Sequence, residues 1–309
     1  MKRALLLARN GEGRVSPNPM VGAVVVHDGL IIGEGFHAVY GGPHAEVNAI
    51  NSVKPHLRHL LKDSQIYVTL EPCAHHGKTP PCANLIVATG IPEVVVGALD
   101  PNPLVAGKGI EIMNDAGVKV VSGVLEEECK YLNRRFMFAQ VSPFPYITLK
   151  WAQSADGFMA TFDADGLPSP VKLSTRMSSV WVHRERAAYD AIMVGGNTER
   201  IDHPQLNVRL WGGNSPKKFV AHGDCDLQQT LLEMRKSGVT SLLVEGGPTL
   251  LNFFLKNGWW DELRIETSPS LLINGLKSPQ LPDNKVLVNS FKSRGNLIET
   301  FENPLQKKC

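Results

Sequence analysis

Hydrophobic and polar positions along this chain switch repeatedly between a helical period and a strand period. Residues 2–10 have helical composition, and that helix stops before Ser16-Pro17-Asn18-Pro19, where two prolines interrupt the backbone hydrogen-bond ladder. An apolar run at 21–26, the pair Asp28-Gly29 and a second run at 30–36 predict two antiparallel strands joined by a tight turn. Apolar positions 45, 49 and 50 then predict a helix opening at Pro43-His44, with His44 in its first turn. A strand at 65–70, a loop over 72–82, a helix at 83–89 with Cys82 at its start, a strand at 94–98, a helix at 107–116, a strand at 118–122 and one helix over 125–139 follow. Strands alternating with helices imply a three-layer α/β sandwich.

Gln140-Val141-Ser142-Pro143-Phe144-Pro145 breaks the pattern and is short enough for a tight junction. It sets expected domains of 1–143 and 144–309. The second domain reads as a strand at 146–152, a turn at Ser154-Ala155-Asp156-Gly157, an amphipathic helix at 174–188, strands at 191–195 and 219–221, a helix at 227–236, a strand at 241–245 and a helix at 249–257. Gly246-Gly247-Pro248 joins the last two. Two glycines between a strand and a helix start let backbone N–H groups approach a phosphate, although the same spacing fits a plain tight connection.

The loop at 72–82 changes the picture from fold to chemistry. Cys73 and Cys82, with His44 about thirty residues earlier, form a set of two thiolates and one imidazole, which leaves a tetrahedral Zn²⁺ one open position. Glu46, two residues after His44, is placed to carry protons without ligating. His-x-Glu followed by Pro-Cys and a second Cys is the signature of zinc deaminases acting on nucleobases. His75 and His76 are adjacent, point in different directions, and are read as facing substrate rather than metal.

Composition narrows the class. The chain has 309 residues, enough for two cores, and 32 basic against 30 acidic residues for a formal charge of +2. That balance, without a basic, aromatic-rich stretch, argues against a nucleic-acid partner. The apolar run at 4–8 is far too short for a membrane span or signal core, so a cytoplasmic protein is expected. Five cysteines do not suggest a disulfide framework. Cys129 reads as a core residue, Cys225 as a loop residue and Cys309 as a chain end.

Taken together, Ser16-Pro17-Asn18-Pro19-Met20-Val21-Gly22, His44-Ala45-Glu46, Glu71-Pro72-Cys73, Thr79-Pro80-Pro81-Cys82 and Asp100-Pro101-Asn102-Pro103 resemble the bifunctional pyrimidine deaminase/reductase family of riboflavin biosynthesis. The long insert between the cysteines is typical of that family, where other deaminases have Cys-x-x-Cys. Tyr146-Ile147-Thr148-Leu149-Lys150, Ala191-Ile192-Met193-Val194-Gly195 and Glu245-Gly246-Gly247-Pro248-Thr249-Leu250 extend the resemblance into the second half. It implies a cytidine-deaminase-like α/β/α domain followed by a dihydrofolate-reductase-like α/β domain, with Zn²⁺ and NADPH as cofactors. It implies that His44, Cys73 and Cys82 hold zinc, that Glu46 shuttles the proton, and that Asn18 and Asn102 contact the pyrimidine. In the reductase half it puts Gln153, Thr198, Asp202, Gly247, Pro248, Thr249 and Leu250 on NADPH, and Arg186, Leu206, Arg209 and Glu245 on substrate. Lys150 and Glu245 would handle protons. The implied substrate is a pyrimidine ribosyl phosphate and the implied assembly a homo-oligomer, dimer or tetramer. Ala155, Lys172, His203 and His222 depart from the family pattern, while Lys150, Glu245 and the Gly-Gly turn remain. A deaminase with a relict second domain, a nucleic-acid editing deaminase and a protein with structural zinc are the rival readings.

Overall fold

The computed structural model describes residues 1–74, 80–102, 106–223 and 225–306; His75, His76 and Cys309 lie outside them. Two compact units divide the chain, Met1–Ser142 and Pro143–Cys309.

In the first unit, β1 (Gly22–His27) and β2 (Leu30–Phe36) pair antiparallel around Asp28 and Gly29. Both turn residues have positive φ, 45° and 75°, which suits the mirror-image turn that matches strand twist. β3 (Gln65–Leu70), β4 (Glu93–Ala98) and β5 (Lys119–Val121) complete a sheet of order β2-β1-β3-β4-β5, parallel from β3 to β5. Among the described residues six α-helices flank it: α1 (Lys2–Ala8), α2 (Ala45–Ser52), α3 (Cys82–Thr89), α4 (Lys108–Asp115), α5 (Glu126–Leu132) and α6 (Arg134–Val141). On one face Ala23, Val25, Val68 and Val96 bury against Ala49 of α2, Ile86 of α3 and Met113 of α4. On the other face two glycines permit close contact. A Cβ on Gly22 would lie 2.0 Å from the Ala4 carbonyl oxygen of α1, and one on Gly97 would lie 2.4 Å from Cys129 Sγ of α5. Three layers result, as the alternating pattern implies.

One expected helix is two. The segment expected to be continuous over 125–139 breaks at Asn133, whose side chain accepts from Met20 N–H (2.8 Å) and donates to Met20 C=O (2.9 Å). The break therefore has a tertiary cause: a buried amide satisfies both backbone groups of a residue 113 positions away.

The second unit is built on a seven-stranded sheet of order β10-β9-β11-β6-β12-β15-β14. β6 (Tyr146–Gln153) lies at its centre. β7 (Phe158–Phe162) and β8 (Pro168–Pro170) leave it to form a small side sheet, which β13 (Leu276–Lys277) joins later. α7 (Arg176–Ala187), β9 (Ala191–Gly195), α8 (Gly196–Asp202), β10 (Lys217–Ala221), α9 (Leu227–Lys236), β11 (Ser241–Glu245), α10 (Pro248–Lys256) and β12 (Glu262–Thr267) supply the parallel part. β14 (Val286–Ser293) and β15 (Asn296–Glu302) return antiparallel. Alternation decides the faces. Ile147, Leu149, Leu242, Val244, Leu263 and Phe301 pack on one side with Leu231 of α9 and Phe254 of α10, and Ile192, Val194 and Leu243 pack on the other with Leu206.

Candidate active sites

Three chain segments converge in the first unit. His44 sits at the N-cap of α2 in extended conformation (φ −70°, ψ 165°), one residue before the helix rather than in its first turn. Glu46 lies in that first turn and is 3% exposed. Cys73 follows the end of β3, and Cys82 is the first residue of α3. His44 Nδ1 is 3.6 Å from Cys73 Sγ and 3.3 Å from Cys82 Sγ, and all three donor atoms lie within 4.8 Å of one another.

This donor set fits zinc. Zn–S near 2.3 Å and Zn–N near 2.1 Å would put donors about 3.6 Å apart across a tetrahedral angle. Electrostatics agree. The hydrogen bond from Cys82 is the main reason the Cys73 thiol is pulled down to about 4, with His44 adding to it. Cys82 is pushed up in turn, because the bond it makes to Cys73 favours its protonated form. Two sulfurs and an imidazole nitrogen gathered this closely are a donor set for a soft divalent cation. The Cys82 N–H also donates to Cys73 Sγ at 3.3 Å, so the start of α3 supports anionic sulfur. Burial pushes the Glu46 carboxyl up to about 7, which suits a group that takes and returns a proton near neutrality.

Asn18 and Asn102 border this unit's loops. The Asn18 side-chain amide lies 3.1 Å from His37 Nε2, and His37 Nδ1 lies 3.0 Å from the Pro43 carbonyl. A carbonyl only accepts, so Nδ1 carries the proton and Nε2 receives the Asn18 amide. Burial holds His37 below its ordinary value and keeps it in that neutral form. Its ring stands edge-on to His44, centroids 5.5 Å apart. Sequence reasoning missed His37. Its only signal is a histidine at the end of a strand whose partners lie in other segments.

The second site assembles along one row of the sheet. Glu245, Lys150, Arg264, Thr300 and Asn289 are register partners on neighbouring strands and share the face opposite the α9–α10 core. Glu245 and Lys150 line a cavity of about 200 Å³ with Trp181, Glu185 and Arg264. Arg186 of α7 holds Glu245 with two bonds, 3.2 Å from Nε and 2.6 Å from Nη2. Burial pushes the Glu245 carboxyl up, but the Lys150 ammonium and the Arg186 guanidinium outweigh it, holding Glu245 below the ordinary carboxylate value. Arg186 Nη1 also reaches the Asn207 carbonyl at 3.4 Å, and Arg209 donates to the Asn207 side chain at 3.0 Å. Leu206, buried and with φ +50°, directly precedes Asn207, the residue both arginines contact.

The strand ends beside this row carry the remaining residues. Gly247 caps α10, Pro248, Thr249 and Leu250 form its first turn, and the Gly247 N–H donates to Thr198 Oγ1 of α8 at 3.1 Å. A Cβ on Gly246 would lie 3.5 Å from the Gly195 backbone N, so the ends of β9 and β11 approach closely. Asp202 ends α8, and burial raises its carboxyl. Gln153 is engaged by Trp151 Nε1 (2.8 Å) and by Thr267 (3.4 Å). The start of α10 and the two glycines before it lie at the carboxyl edge of the parallel strands, the place where such sheets receive dinucleotides.

Known proteins share both halves. The family pattern described as the cytidine and deoxycytidylate deaminase zinc-binding region matches residues 1–98, and that of the RibD C-terminal domain matches residues 145–231 and 217–292. The riboflavin biosynthesis protein RibD of Bacillus amyloliquefaciens is 36% identical over 338 residues, covering 91% of this chain and 86% of that one. RibD of Aquifex aeolicus is 34% identical, covering 97% and 94%. A match with RibD of Actinobacillus pleuropneumoniae is 42% identical but spans 62% of that protein. Among solved structures, a diaminohydroxyphosphoribosylaminopyrimidine deaminase/5-amino-6-(5-phosphoribosylamino)uracil reductase from Thermotoga maritima superposes with TM-score 0.88 at 35% identity, covering 98% of this chain and 97% of that one. Family patterns over both halves and relatives matched nearly end to end place this chain in the RibD family, the bifunctional deaminases and reductases of riboflavin biosynthesis.

Proposed function

We propose that the first unit hydrolyses the amino group from 2,5-diamino-6-ribosylamino-4(3H)-pyrimidinone 5′-phosphate, and that the second reduces the ribosyl group of the product to a ribityl chain. The observation that carries this reading is the buried Glu46 beside a cluster of three donors, a set that leaves a tetrahedral metal one open position. His44, Cys73 and Cys82 hold zinc, and Asn18 and Asn102 orient the pyrimidine. Zinc supplies Lewis-acid activation of water near neutral pH, and NADPH supplies hydride. Glu46 carries one proton from the attacking water to the ring nitrogen and a second, from the hydroxyl so formed, to the amine, which leaves as ammonia.

In the second unit Gln153, Thr198, Asp202 and the turn Gly247 to Leu250 hold NADPH. Leu206 and Arg209 position the ribosyl phosphate, and Lys150 with Glu245 holds the proton for the reduced sugar. The bidentate Arg186–Glu245 pair supports a modified view of the substrate contact: Arg186 orients Glu245, leaving Arg209 to face the anionic group. The protein acts on a small molecule. Among the described residues no helix is long and apolar enough to cross a membrane. Reduced thiolates at the metal cluster favour a cytoplasmic setting, and a dimer or tetramer is the expected assembly.

The decisive experiment gives the purified protein each substrate separately. Ammonia release from the diamino compound and NADPH oxidation with the deaminated compound are both expected. If ammonia appears while NADPH is untouched, the second unit is a relict and the reductase assignment falls.

A further inference from the structure

Glu71, the residue between β3 and the Pro72-Cys73 ligand segment, is 5% exposed and belongs to neither set of residues above. Its backbone N–H is tied to the Ala98 carbonyl at 2.9 Å, so the carboxylate projects from a fixed point. Oε2 accepts from the N–H groups of Asp100 (3.3 Å) and Gly107 (3.0 Å), and Oε1 accepts from Gly109 N–H (3.0 Å). Gly107 is the N-cap of α4, so one buried anion satisfies free N–H groups at that helix start and also grips the entry to the preceding segment. Gly109 must be glycine for this grip. A Cβ there would lie 2.0 Å from the Pro72 carbonyl oxygen and 3.3 Å from Glu71 Oε1. Asn102 lies between the two grips, its N–H donating to Asp100 Oδ1 at 2.9 Å and its carbonyl accepting from Ala106 N–H at 2.8 Å.

We propose that Glu71 is a positioning residue of the deaminase: its carboxylate fixes both ends of the segment from Asp100 to Gly109, and with them Asn102, to the strand end that carries Cys73. This rests on Asn102 being a pyrimidine contact. Glu71 has no part in proton transfer. It acts through Asn102, so its effect belongs in substrate affinity and not in metal retention.

The test uses the full-length, zinc-loaded protein in four forms: wild type, Glu71→Gln, Asn102→Ala and the double variant. Glutamine keeps the shape but turns an NH₂ group toward N–H donors. Losing bonds to a charged acceptor predicts about a tenfold or greater rise in deaminase KM for Glu71→Gln, with a smaller change in kcat. Zinc content and NADPH oxidation by the second unit remain at wild-type level. Glu71→Asp, which keeps the charge, recovers part of the lost affinity. In the double variant the KM equals that of Asn102→Ala alone, because positioning matters only while Asn102 is present. Multiplying KM effects, an unchanged KM in Glu71→Gln, or zinc loss in both Glu71 variants each overturns the proposal. An unchanged KM in Asn102→Ala instead removes the reading on which it rests.

Discussion

Glu46 and the three donors around it combine two requirements that conflict on an ordinary protein surface: anionic sulfur for a cation, and a carboxyl reluctant to ionise. The structure separates them by burial, with Glu46 inside the first turn of α2 and Cys73 next to hydrogen-bond donors. Glu46→Gln is expected to lower deaminase kcat by about 10²–10⁴-fold, the usual share of a general acid–base group, with zinc content unchanged. Metal analysis beside the turnover assay checks this, and a variant with full turnover would end the proton-shuttle reading. The spacing of His44, Glu46, Cys73 and Cys82 was legible in the chain because a ligand set leaves its residue types in order, whatever the fold. His37 and Glu71 were not. Apart from Pro43 beside His37, their side-chain partners lie 19 to 38 residues away on other segments, and the Glu71-Pro72-Cys73 motif marks Glu71 without telling what its carboxylate holds.

Helix α2 is the element on which the first site depends, since it presents both His44 and Glu46, and it rests on a strand thinned by glycine. A Cβ at Gly35 would lie 2.3 Å from Ala49 N and 2.6 Å from Ala45 O, both backbone atoms of α2. Gly35→Ala must therefore push the helix off β2. The expected cost is about 1–3 kcal/mol of stability, typical of overpacking, together with weaker zinc retention. Thermal unfolding and zinc titration test it. Gly212→Ala, with open space around it, is the control expected to change neither. Elements of this unit could be read from alternation because each is apolar on the face it buries. The helix break at Asn133 could not, because its cause is Met20. Residues 258–302 also escaped a sequence reading. β12 carries Glu262, Arg264 and Glu266 on one face, and those charges are accommodated by pairing: Arg264 with Glu185 and Glu262, and Glu266 with Ser174 and Asn296. β14 is exposed along most of its length, and its apolar run Val286-Leu287-Val288 does not alternate with polar residues, so no period-two pattern marks it.

At the scale of the whole molecule, stability carries the imprint of an acid kept neutral. Asp261 precedes β12 and accepts the Ile147 N–H at 2.6 Å through Oδ2, while Oδ1 is buried without a partner. Burial, with the neighbouring Glu262 adding to it, pushes its carboxyl up to about 8. The folded state therefore keeps a proton that the unfolded chain releases near the ordinary carboxylate value of about 4. Between those values the native state binds more protons, so this group's stabilisation falls as pH rises, by up to about 1.4 kcal/mol per unit, until it is lost above 8. Urea unfolding should show the wild type losing more stability between pH 6 and pH 9 than Asp261→Asn, whose amide resembles the protonated acid. Equal pH dependence in the two proteins would rule this out.

The clasp between Met20 and Asn133 bears on how the deaminase half can be cut from the rest. The matched zinc-binding pattern ends at residue 98, and a fragment trimmed there would retain Glu46 and the three residues proposed to hold zinc. It would nevertheless lack Asn133, losing both bonds to the Met20 backbone, and would strip Cys129 from the Leu70–Ala98 patch it covers. The smallest severable deaminase thus reaches through α6, some forty residues past the last recognisable motif.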